Sequence, residues 1–277
     1  MPGTVNRLNK TALVTGASSG IGRAVAVKLA DEGYDLIVTA RRMDLLEALV
    51  AELEGKGRRA EAYPCDLSSG DAREALLEYV KNTYGCPDLV VNNAGFAWYG
   101  YFAEMDWHTA DEMMGVNNAA AVHLTLAFLP GMLARGGGQV INISSVAGDI
   151  PSQGVALYSA SKAFLNAFST ALWRELQGKP VKVSMLLPGP VKTPFFKASK
   201  ALSNGLEIPV EWLGVPVDAV TNALWSLVKR PRRVAYVPFF LALTPWVERI
   251  FGWIIDLLGP LLLRWQAYRQ RRVDRLV

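Results

Sequence analysis

Short, continuously apolar runs alternate with longer segments of helical periodicity along most of the 277-residue chain. The apolar runs predict strands at residues 10–15, 35–40, 60–66, 88–92, 139–144 and 181–187. The periodic segments predict helices at about residues 20–32, 45–55, 71–84, 109–134 and 155–177. Strands that are apolar throughout are typical of a parallel sheet with both faces covered. The pattern therefore predicts an α/β fold built on a doubly wound parallel sheet.

Length and composition narrow the class of protein. With 51% apolar residues, a chain of this length suits one large α/β domain. Cys65 and Cys86 are too few for a disulfide framework and lack metal-ligand spacing, so we expect reduced thiols and no metal site. Residues 1–7 have no apolar segment typical of a secretory signal or anchor, which favours a cytoplasmic protein.

The net charge of +4 is unevenly distributed. Residues 1–228 contain 19 Lys and Arg against 22 Asp and Glu, a net charge of −3. Residues 229–277 contain 10 basic and 3 acidic residues, a net charge of +7. Because the basic excess belongs to the tail and the body is mildly acidic, we expect no nucleic-acid partner.

A glycine-rich loop follows the first predicted strand. Gly16 permits a tight turn, Gly20 lets the backbone approach a phosphate, and Gly22 allows a helix to pack closely on a strand. An ordinary βα turn is the simpler alternative, although the loop stands between a strand and a helix as a dinucleotide site requires. The loop predicts binding of a dinucleotide pyrophosphate.

The end of the second predicted strand bears on the choice of nucleotide. An NAD site favours a carboxylate there, whereas a 2′-phosphate favours cations. Arg41 and Arg42 stand at this position, and the first acid is Asp44. A guanidinium can bind a phosphate through two hydrogen bonds, so we expect NADP(H). Two solvated arginines at the start of a helix are the alternative.

Three side chains suggest carbonyl chemistry. Tyr158 and Lys162 are four residues apart, on one face of a predicted helix, and Ser145 ends a predicted strand. Reduction of a ketone needs a proton donor, and a phenol with a pKa of ~10 is poorly matched to neutral pH. We expect the Lys162 ammonium to lower the pKa of Tyr158 and Ser145 to bind the carbonyl oxygen. Ser144 competes with Ser145 for this position.

In the order of its motifs, the chain resembles the short-chain dehydrogenase/reductase family over roughly residues 8–230. The resemblance implies a catalytic tetrad of Asn117, Ser145, Tyr158 and Lys162; Asn117 is favoured over Asn118 because it follows Val116. It also implies that Asp66 contacts adenine and that Thr193 holds the nicotinamide carboxamide. The full set of implied cofactor contacts, with the two arginines added, is Gly16, Ser18, Ser19, Gly20, Ile21, Gly22, Arg41, Arg42, Asp66, Leu67, Asn93, Ala94, Gly95, Tyr158, Lys162, Pro188, Gly189, Val191 and Thr193.

The resemblance also carries expectations about architecture. It implies a Rossmann-like, three-layer fold with a seven-stranded sheet whose last strand is near Val234–Val237. It implies a homodimer or homotetramer that associates through the helices carrying Asn117 and Tyr158. In the family, Asn117 would hold a water that relays protons from Lys162, and a substrate lid would occupy about residues 194–215.

Aromatic residues cluster around the predicted site. Trp98, Tyr99, Tyr101 and Phe102 follow the Asn-Asn-Ala-Gly element, and Phe195, Phe196 and Trp212 lie in the predicted lid. These side chains suggest a pocket for a lipophilic carbonyl compound. Core packing explains them equally well.

The C-terminal tail departs from the minimal family pattern. We expect a catalytic domain over residues 1–230 and, over 231–277, a final strand followed by an apolar helical extension. The longest uncharged run of the tail, Val234–Val247, is shorter than the ~20 residues that span a bilayer. Tryptophans followed by Arg264, Arg269, Arg271, Arg272 and Arg275 suggest a pair of interfacial helices on a membrane surface. Contact with a partner subunit or a cap over the pocket are the alternatives.

The predicted function is interconversion of a ketone and a secondary alcohol by an NADPH-dependent oxidoreductase acting on a 3-oxoacyl or steroid-like compound. One alternative is an NADP(H)-sensing binding protein whose tail recruits a membrane or a partner. Another is an NAD-dependent alcohol dehydrogenase of the same family.

Overall fold

A computed structural model describes residues 10–195, 199, 202–206 and 214–274 of the chain. Seven parallel strands form one sheet in the order β3-β2-β1-β4-β5-β6-β7. The strands are β1 (Thr11–Thr15), β2 (Asp35–Ala40), β3 (Ala60–Pro64), β4 (Leu89–Asn92), β5 (Gly138–Ile143), β6 (Val181–Pro188) and β7 (Val234–Val237). The predicted Rossmann-like sheet, including its seventh strand, is therefore confirmed.

Helices connect the strands and cover both faces of the sheet. They are α1 (Gly20–Asp31), α2 (Met43–Gly55), α3 (Gly70–Tyr84), α4 (Trp107–Met114), α5 (Ala120–Arg135), α6 (Ala156–Glu175), α7 (Val217–Lys229) and α8 (Thr244–Asp274). Short 3₁₀ turns occupy Phe102–Glu104, Val146–Gly148 and Phe239–Leu243.

Two apolar cores lie on opposite sides of the sheet and give the fold its three layers. Leu29, Leu49 and Leu224 place α1, α2 and α7 against one face. Leu77 and Phe128 place α3 and α5 against the other face, where α6 also packs. Successive residues of β1 alternate between these two cores, which is why the predicted strands are apolar throughout.

The strand order reverses between β1 and β4, which pair directly in the centre of the sheet. In open α/β sheets, such a reversal leaves a crevice at the carboxyl ends of the two strands, and ligands bind there. Thr15 ends β1 before the glycine loop, and Asn92 ends β4 before the Asn93-Ala94-Gly95 segment. The topology therefore brings two predicted cofactor segments to one crevice.

The predicted helix over residues 109–134 is interrupted by a π-helical turn at Gly115–Ala119. Turns of this kind are frequent at functional sites, and this one carries Asn117. Within the described residues, the helix running from Trp107 to Arg135 is the one long and apolar enough to cross a membrane. Because Leu124 and Phe128 pack against the sheet, we interpret it as a core helix.

The expected pair of tail helices is wrong, because one helix, α8, covers Thr244–Asp274. Pro245 lies in the first turn, where a backbone N–H has no helical partner to lose. Pro260 lies inside the helix without ending it. The proposed domain division stays a prediction, although β7 belongs to the same sheet as the preceding strands.

Several expected features lie outside the described residues. They include the N-terminal segment, most of the predicted lid with Phe196 and Trp212, and the final Arg275.

Candidate active site

The glycine loop has the backbone geometry that its sequence predicts. Gly16 and Gly20 have φ angles of 65° and 57°, in the left-handed region that glycine adopts without strain. A Cβ atom on Gly16 would lie 2.8 Å from Asn93 Nδ2 and 2.9 Å from Ala94 Cα. A Cβ atom on Gly22 would collide with Asn93 and with the Gly16 carbonyl oxygen. Only glycine therefore lets this loop pass so close to the segment after β4.

The loop is also suited to bind a pyrophosphate group. It leads into α1, whose N-cap residue Ser19 makes no side-chain capping hydrogen bond and whose first turn contains no acid. The positive end of the helix dipole and the backbone N–H groups of the first turn thus face the crevice without a protein anion to bind. The residues present fit a dinucleotide.

Arg42 lies directly beside the glycine loop. Its Nη2 atom donates hydrogen bonds to Ser18 Oγ at 2.9 Å and to Ser19 Oγ at 3.0 Å. Arg41 points elsewhere, because its Nη1 atom lies 2.6 Å from Glu112 Oε1 on α4. The two arginines, which the sequence alone does not distinguish, therefore differ in position, and Arg42 is the one that lies beside the glycine loop.

Asp66 and Leu67 follow β3 at the same edge of the sheet. Burial would raise the pKa of the Asp66 carboxyl, but hydrogen bonds from the Ser68 hydroxyl and backbone N–H lower it below its usual value. Asp66 therefore stays ionised. The Leu67 side chain is buried in the core, and its carbonyl oxygen accepts a hydrogen bond from Arg73 at 2.7 Å.

The Asn93-Ala94-Gly95 segment is held against β1 by Thr15. The Thr15 hydroxyl oxygen accepts hydrogen bonds from the backbone N–H groups of Asn93 and Ala94, both at 3.0 Å. Asn93 Nδ2 donates to the Thr15 carbonyl oxygen at 2.8 Å. A Cβ atom on Gly95 would lie 3.0 Å from Asn117 Oδ1 and 3.5 Å from Lys162 Nζ. Gly95 thus lies against Asn117 and Lys162, two residues of the predicted tetrad.

Asn117 is almost fully buried, and its amide is held on three sides. Its Nδ2 atom donates to the Phe96 carbonyl oxygen and to Ser161 Oγ, each at 3.0 Å. Its Oδ1 atom accepts from the Phe96 backbone N–H at 3.0 Å. Asn118 instead donates to the Ser161 carbonyl oxygen at 2.8 Å. The π-helical turn therefore aims two consecutive amides at α6.

Ser144 and Ser145 lie in different surroundings at the end of β5. Ser144 is buried, and its hydroxyl donates to the Lys162 carbonyl oxygen at 3.2 Å and to Asn166 Oδ1 at 2.5 Å. Ser145 caps the following 3₁₀ turn by accepting from Ala147 N at 3.1 Å, and it shares a hydrogen bond with the Tyr158 hydroxyl. Ser145 is therefore the serine that the fold presents to Tyr158.

Tyr158 and Lys162 are both buried at the start of α6, and burial shifts their pKa values in opposite directions. Burial raises the pKa of the Tyr158 phenol to about 12, while the hydrogen bond with Ser145 lowers it. Burial lowers the pKa of the Lys162 ammonium to about 8. The expected lowering of the Tyr158 pKa by Lys162 is wrong for this arrangement, because burial has the largest effect on the phenol and raises its pKa. Tyr158 is therefore a protonated phenol at neutral pH.

The predicted carboxamide segment begins where β6 ends, at Pro188. The Gly189 backbone N–H donates to the Val237 carbonyl oxygen at 2.9 Å, and Val191 is buried and pairs with Val215. Thr193 reaches the glycine loop, since a Cβ atom on Gly20 would lie 3.4 Å from its side chain. The segment thus returns from β6 to the crevice that the glycine loop lines.

An aromatic cluster surrounds Tyr158. Trp98 and Tyr99 are buried in it, and the Phe195 ring centre lies 6.0 Å from that of Tyr158. Trp98 Nε1 donates to the Ser203 carbonyl oxygen at 3.0 Å. Phe102 is 61% exposed, so it does not belong to the core of this cluster.

Some residues at the site were not predicted from the sequence. Ser161 bonds both Asn117 and the Tyr158 carbonyl oxygen, and Thr15 anchors the Asn93 segment. Asp149 accepts hydrogen bonds from Tyr236 on β7 and from Thr244 at the start of α8. Leu263 of α8 packs in the cluster around Tyr158. Of these residues, Ser161 alone has a sequence signal, because it lies within the Tyr-x-x-x-Lys segment.

The described part of the chain contains no group of three or more His, Cys, Asp or Glu residues that could hold a metal ion.

Comparison with known proteins identifies the family. A family model described as short chain dehydrogenase matches residues 10–203. The chain belongs to the short-chain dehydrogenase/reductase family. A family relative from Acinetobacter baylyi, a fatty acyl-CoA reductase, is 34% identical over 232 residues, which cover 83% of this chain and 77% of the relative.

Two solved structures of the family resemble the fold closely. A short-chain dehydrogenase from Sphingobium yanoikuyae in complex with NADPH has a TM-score of 0.77 and 29% identity, covering 90% of this chain and 95% of the other. A short chain dehydrogenase/reductase from Burkholderia phymatum in complex with NAD has a TM-score of 0.78 and 25% identity, with the same coverage. The family match identifies an oxidoreductase with a nicotinamide dinucleotide cofactor; the two neighbours bind NADPH and NAD respectively.

Proposed function

We propose that the protein is an NADPH-dependent oxidoreductase that interconverts a lipophilic ketone and a secondary alcohol. The observation that carries this proposal is the buried arrangement of Tyr158 with Ser145 and Lys162 at the carboxyl edge of the sheet, next to the glycine loop. The bound nicotinamide would supply or accept the hydride, and the residues of the chain would control the proton.

Tyr158 would act as the proton donor to the carbonyl oxygen. With a pKa of about 12, its phenol carries a proton at neutral pH and can donate it only as negative charge develops on the substrate oxygen. The Ser145 hydroxyl would donate a second hydrogen bond to the same oxygen, where the developing charge is largest.

Lys162 and Asn117 would support proton transfer by Tyr158 without contacting the substrate oxygen themselves. The Lys162 Nζ atom lies 5.7 Å from the centre of the Tyr158 ring, so a protonated Lys162 favours the phenolate that proton donation leaves. Asn117, fixed by Phe96 and Ser161, would hold the water through which the site recovers its proton.

Arg42 supports the preference for NADPH. Its guanidinium bonds both serines of the glycine loop, which supports a role in holding a ribose 2′-phosphate beside the pyrophosphate. Arg41 would contribute less, because Glu112 neutralises part of its charge. An NAD-dependent alcohol dehydrogenase is the alternative within the family, and the NAD complex of the Burkholderia phymatum protein keeps it open.

The substrate class is inferred from the surroundings of Tyr158. Trp98, Tyr99 and Phe195 offer an apolar and aromatic wall, which suits a 3-oxoacyl chain or a steroid-like ring system. The name of the Acinetobacter baylyi relative, a fatty acyl-CoA reductase, favours the acyl class.

The proposal includes a cytoplasmic homodimer or homotetramer that can also contact a membrane surface through its tail. On the outer faces of α5 and α6, Leu126 is 67% exposed and Phe164 is 48% exposed, which favours association through these helices. A cofactor-sensing binding protein is the rival from another class, but it would not need Ser145 beside Tyr158.

A panel of ketones and alcohols, followed by NADPH absorbance, tests the proposal. One ketone at least should be reduced, and Tyr158→Phe should lower kcat by about 10²–10⁴-fold while NADPH still binds. Tyr34→Phe is the matched control, because Tyr34 is a buried tyrosine packed on Trp225, away from the site. Tight NADPH binding without turnover of any ketone would instead support the sensor.

A further inference from the structure

The last helix, α8, contacts the rest of the protein through one narrow stripe. The stripe contains residues that recur every three or four positions and are buried or half-buried: Thr244, Glu248, Gly252, Ile255, Gly259 and Leu263. Gln153 Nε2 donates to the Ile255 carbonyl oxygen at 3.1 Å, and a Cβ atom on Gly259 would collide with the Gln153 side chain. Gly259 therefore lets the helix lie close to the body of the protein.

The opposite side of α8 is exposed and apolar. Successive side chains of a helix are rotated by about 100° about its axis, and on this basis one set of exposed side chains falls within an arc about 160° wide. We call it the outer arc; it consists of Trp246, Val247, Ile250, Phe251, Trp253, Ile254, Leu257, Leu258, Leu261 and Trp265. By the same rotation, the exposed charged residues Arg249 and Asp256 lie outside the arc, whereas the exposed Arg264 lies within it. A surface helix normally turns its apolar stripe towards the core, and α8 does the reverse.

The charge of the tail favours a lipid surface as the occupant of this arc. Residues 264–274, the last part of α8, contain four arginines and one acid, and residues 229–277 carry a net charge of +7. Basic residues close to an anionic membrane are attracted to it by its negative surface potential. Tryptophans are also enriched where proteins meet the lipid headgroups, and the arc contains three.

A second copy of the chain is the competing occupant, but another surface already suits it. Leu126 on α5 and Phe164 on α6 are exposed on the helices that are expected to form the dimer or tetramer. The exposed side chains of α5 and α6 therefore form a surface on helices that pack against the sheet. The outer arc is a separate surface, formed by α8 alone. The lipid surface is therefore the occupant that the outer arc fits better.

A cavity of about 320 Å³ lies under α8, beside the site. Its lining comes from the segment after β4, the loop before α6, and α8: Gly100, Tyr101, Phe102, Gln153, Gly154, Ala156, Pro260, Leu263 and Arg264. Leu263 also packs in the cluster that contains Tyr158, and Ala156 is two residues from Tyr158 on α6. The volume lies at the low end of the ~300–1,000 Å³ typical of ligand pockets.

We propose that the outer arc of α8 docks on an anionic lipid surface, and that the cavity under α8 then receives a lipophilic carbonyl substrate from that surface. The helix would thus have two functional sides. The outer arc would contact the membrane, and Pro260 and Leu263 would line the path from the membrane to Tyr158. The docking step specifies the tail contact of the proposed function, and the delivery step rests in addition on the proposed reaction.

Vesicle flotation of the full-length protein tests docking. The protein should float with vesicles of phosphatidylcholine mixed with phosphatidylglycerol, should float less with phosphatidylcholine alone, and should lose binding as salt screens the charges. Trp253→Glu combined with Leu257→Glu should reduce partitioning by at least about tenfold, because each removes a large apolar contact with lipid. Trp107→Glu is the matched control, since Trp107 is 73% exposed on α4 and should leave flotation unchanged.

Other results of this experiment would overturn docking. Equal flotation of the double variant and the wild type would do so. So would a change of oligomer size in the double variant, measured by light scattering, without any loss of flotation, because the arc would then bind a second copy. Circular dichroism of each variant ensures that the comparison is made between folded proteins.

Turnover measurements test delivery separately. With a water-soluble ketone, the double variant should match the wild type. With a ketone held in anionic vesicles, the double variant should lose turnover by about the same factor as it loses binding. Equal turnover of the vesicle-held ketone by both proteins would overturn delivery. A failure of the proposed reaction would differ from both outcomes, because flotation would persist while no ketone was reduced.

Discussion

The Nζ atom of Lys162 lies 5.7 Å from the centre of the Tyr158 ring and donates a hydrogen bond to the Ile143 carbonyl oxygen at 3.2 Å. This ammonium is buried, and burial lowers the pKa of Lys162 from 10.5 to about 8. Between these two pH values, the unfolded chain binds more protons at this lysine than the folded protein does. The contribution of Lys162 to the free energy of unfolding should therefore increase with pH between about 8 and 10.5.

Lys162→Met removes this titration. The free energy of unfolding of the wild type relative to the variant should increase by about 3 kcal/mol between pH 7 and pH 10.5, since one pKa unit corresponds to ~1.4 kcal/mol. Urea unfolding at a series of pH values measures the difference. Lys179→Met, at an exposed turn, is the control and should show no such trend. A constant difference between wild type and Lys162→Met would contradict the buried ammonium.

The two serines at the end of β5 should respond differently to substitution by alanine. Ser145→Ala should lower kcat by about 10²–10³-fold with little effect on stability, because it removes a donor to the developing oxyanion. Ser144→Ala should instead lower the free energy of unfolding by about 1–3 kcal/mol and retain most turnover, since it removes the buried Ser144 hydroxyl that donates to the half-buried Asn166 amide oxygen. Steady-state kinetics and urea unfolding of both variants distinguish these effects; a reversed result would assign the carbonyl contact to Ser144.

The two arginines after β2 should contribute unequally to cofactor choice. Arg42→Ala should raise the Kd for NADPH by about 10–100-fold and leave the Kd for NADH nearly unchanged, because it removes charge-assisted bonds to the 2′-phosphate. Arg41→Ala should have a smaller effect, because Arg41 is paired with Glu112. Fluorescence titration with both nucleotides measures each Kd. Equal losses for NADPH and NADH would contradict the role of Arg42.

Ser161 is expected to act as a positioning residue. It accepts from Asn117 and donates to the Tyr158 carbonyl oxygen at 2.7 Å, so Ser161→Ala should lower stability by about 1–3 kcal/mol and lower kcat more than it raises KM. Ser161→Thr keeps the hydroxyl and should restore part of kcat.

Ser159→Ala is the matched control for Ser161→Ala. Ser159 is buried on the same helix, and its hydroxyl has no hydrogen-bond partner among the described residues, so its removal should leave stability unchanged or raise it. Equal losses in the two alanine variants would argue against a specific contact between Ser161 and Asn117.

Local patterns were sufficient to predict most of the sheet and the crevice. The predicted strand 35–40 matches β2, and the glycines after β1 have the positive φ angles that a tight turn requires. These features depend on short stretches of backbone, where residue type restricts φ and burial on both faces restricts polarity. The motifs of the site were likewise visible because each occupies only a few consecutive residues.

The interruption of the long helix at Gly115–Ala119 could not be predicted in this way. Its residues are ordinary helix components, and the turn exists because Asn117 bonds Phe96 and Ser161 from distant segments. The unequal surroundings of Arg41 and Arg42 have the same origin, since Glu112 and the serines of the glycine loop are brought to them by the fold.

By itself, the sequence determined the α/β sheet, the family and the candidate residues Asn117, Ser145, Tyr158 and Lys162, because each depends on local spacing and residue type. The tertiary structure alone decided that burial raises the pKa of Tyr158, and that α8 packs by one stripe over the cavity beside it. A pKa depends on desolvation by residues far apart in the chain, and the exposed side of a helix depends on what packs against it.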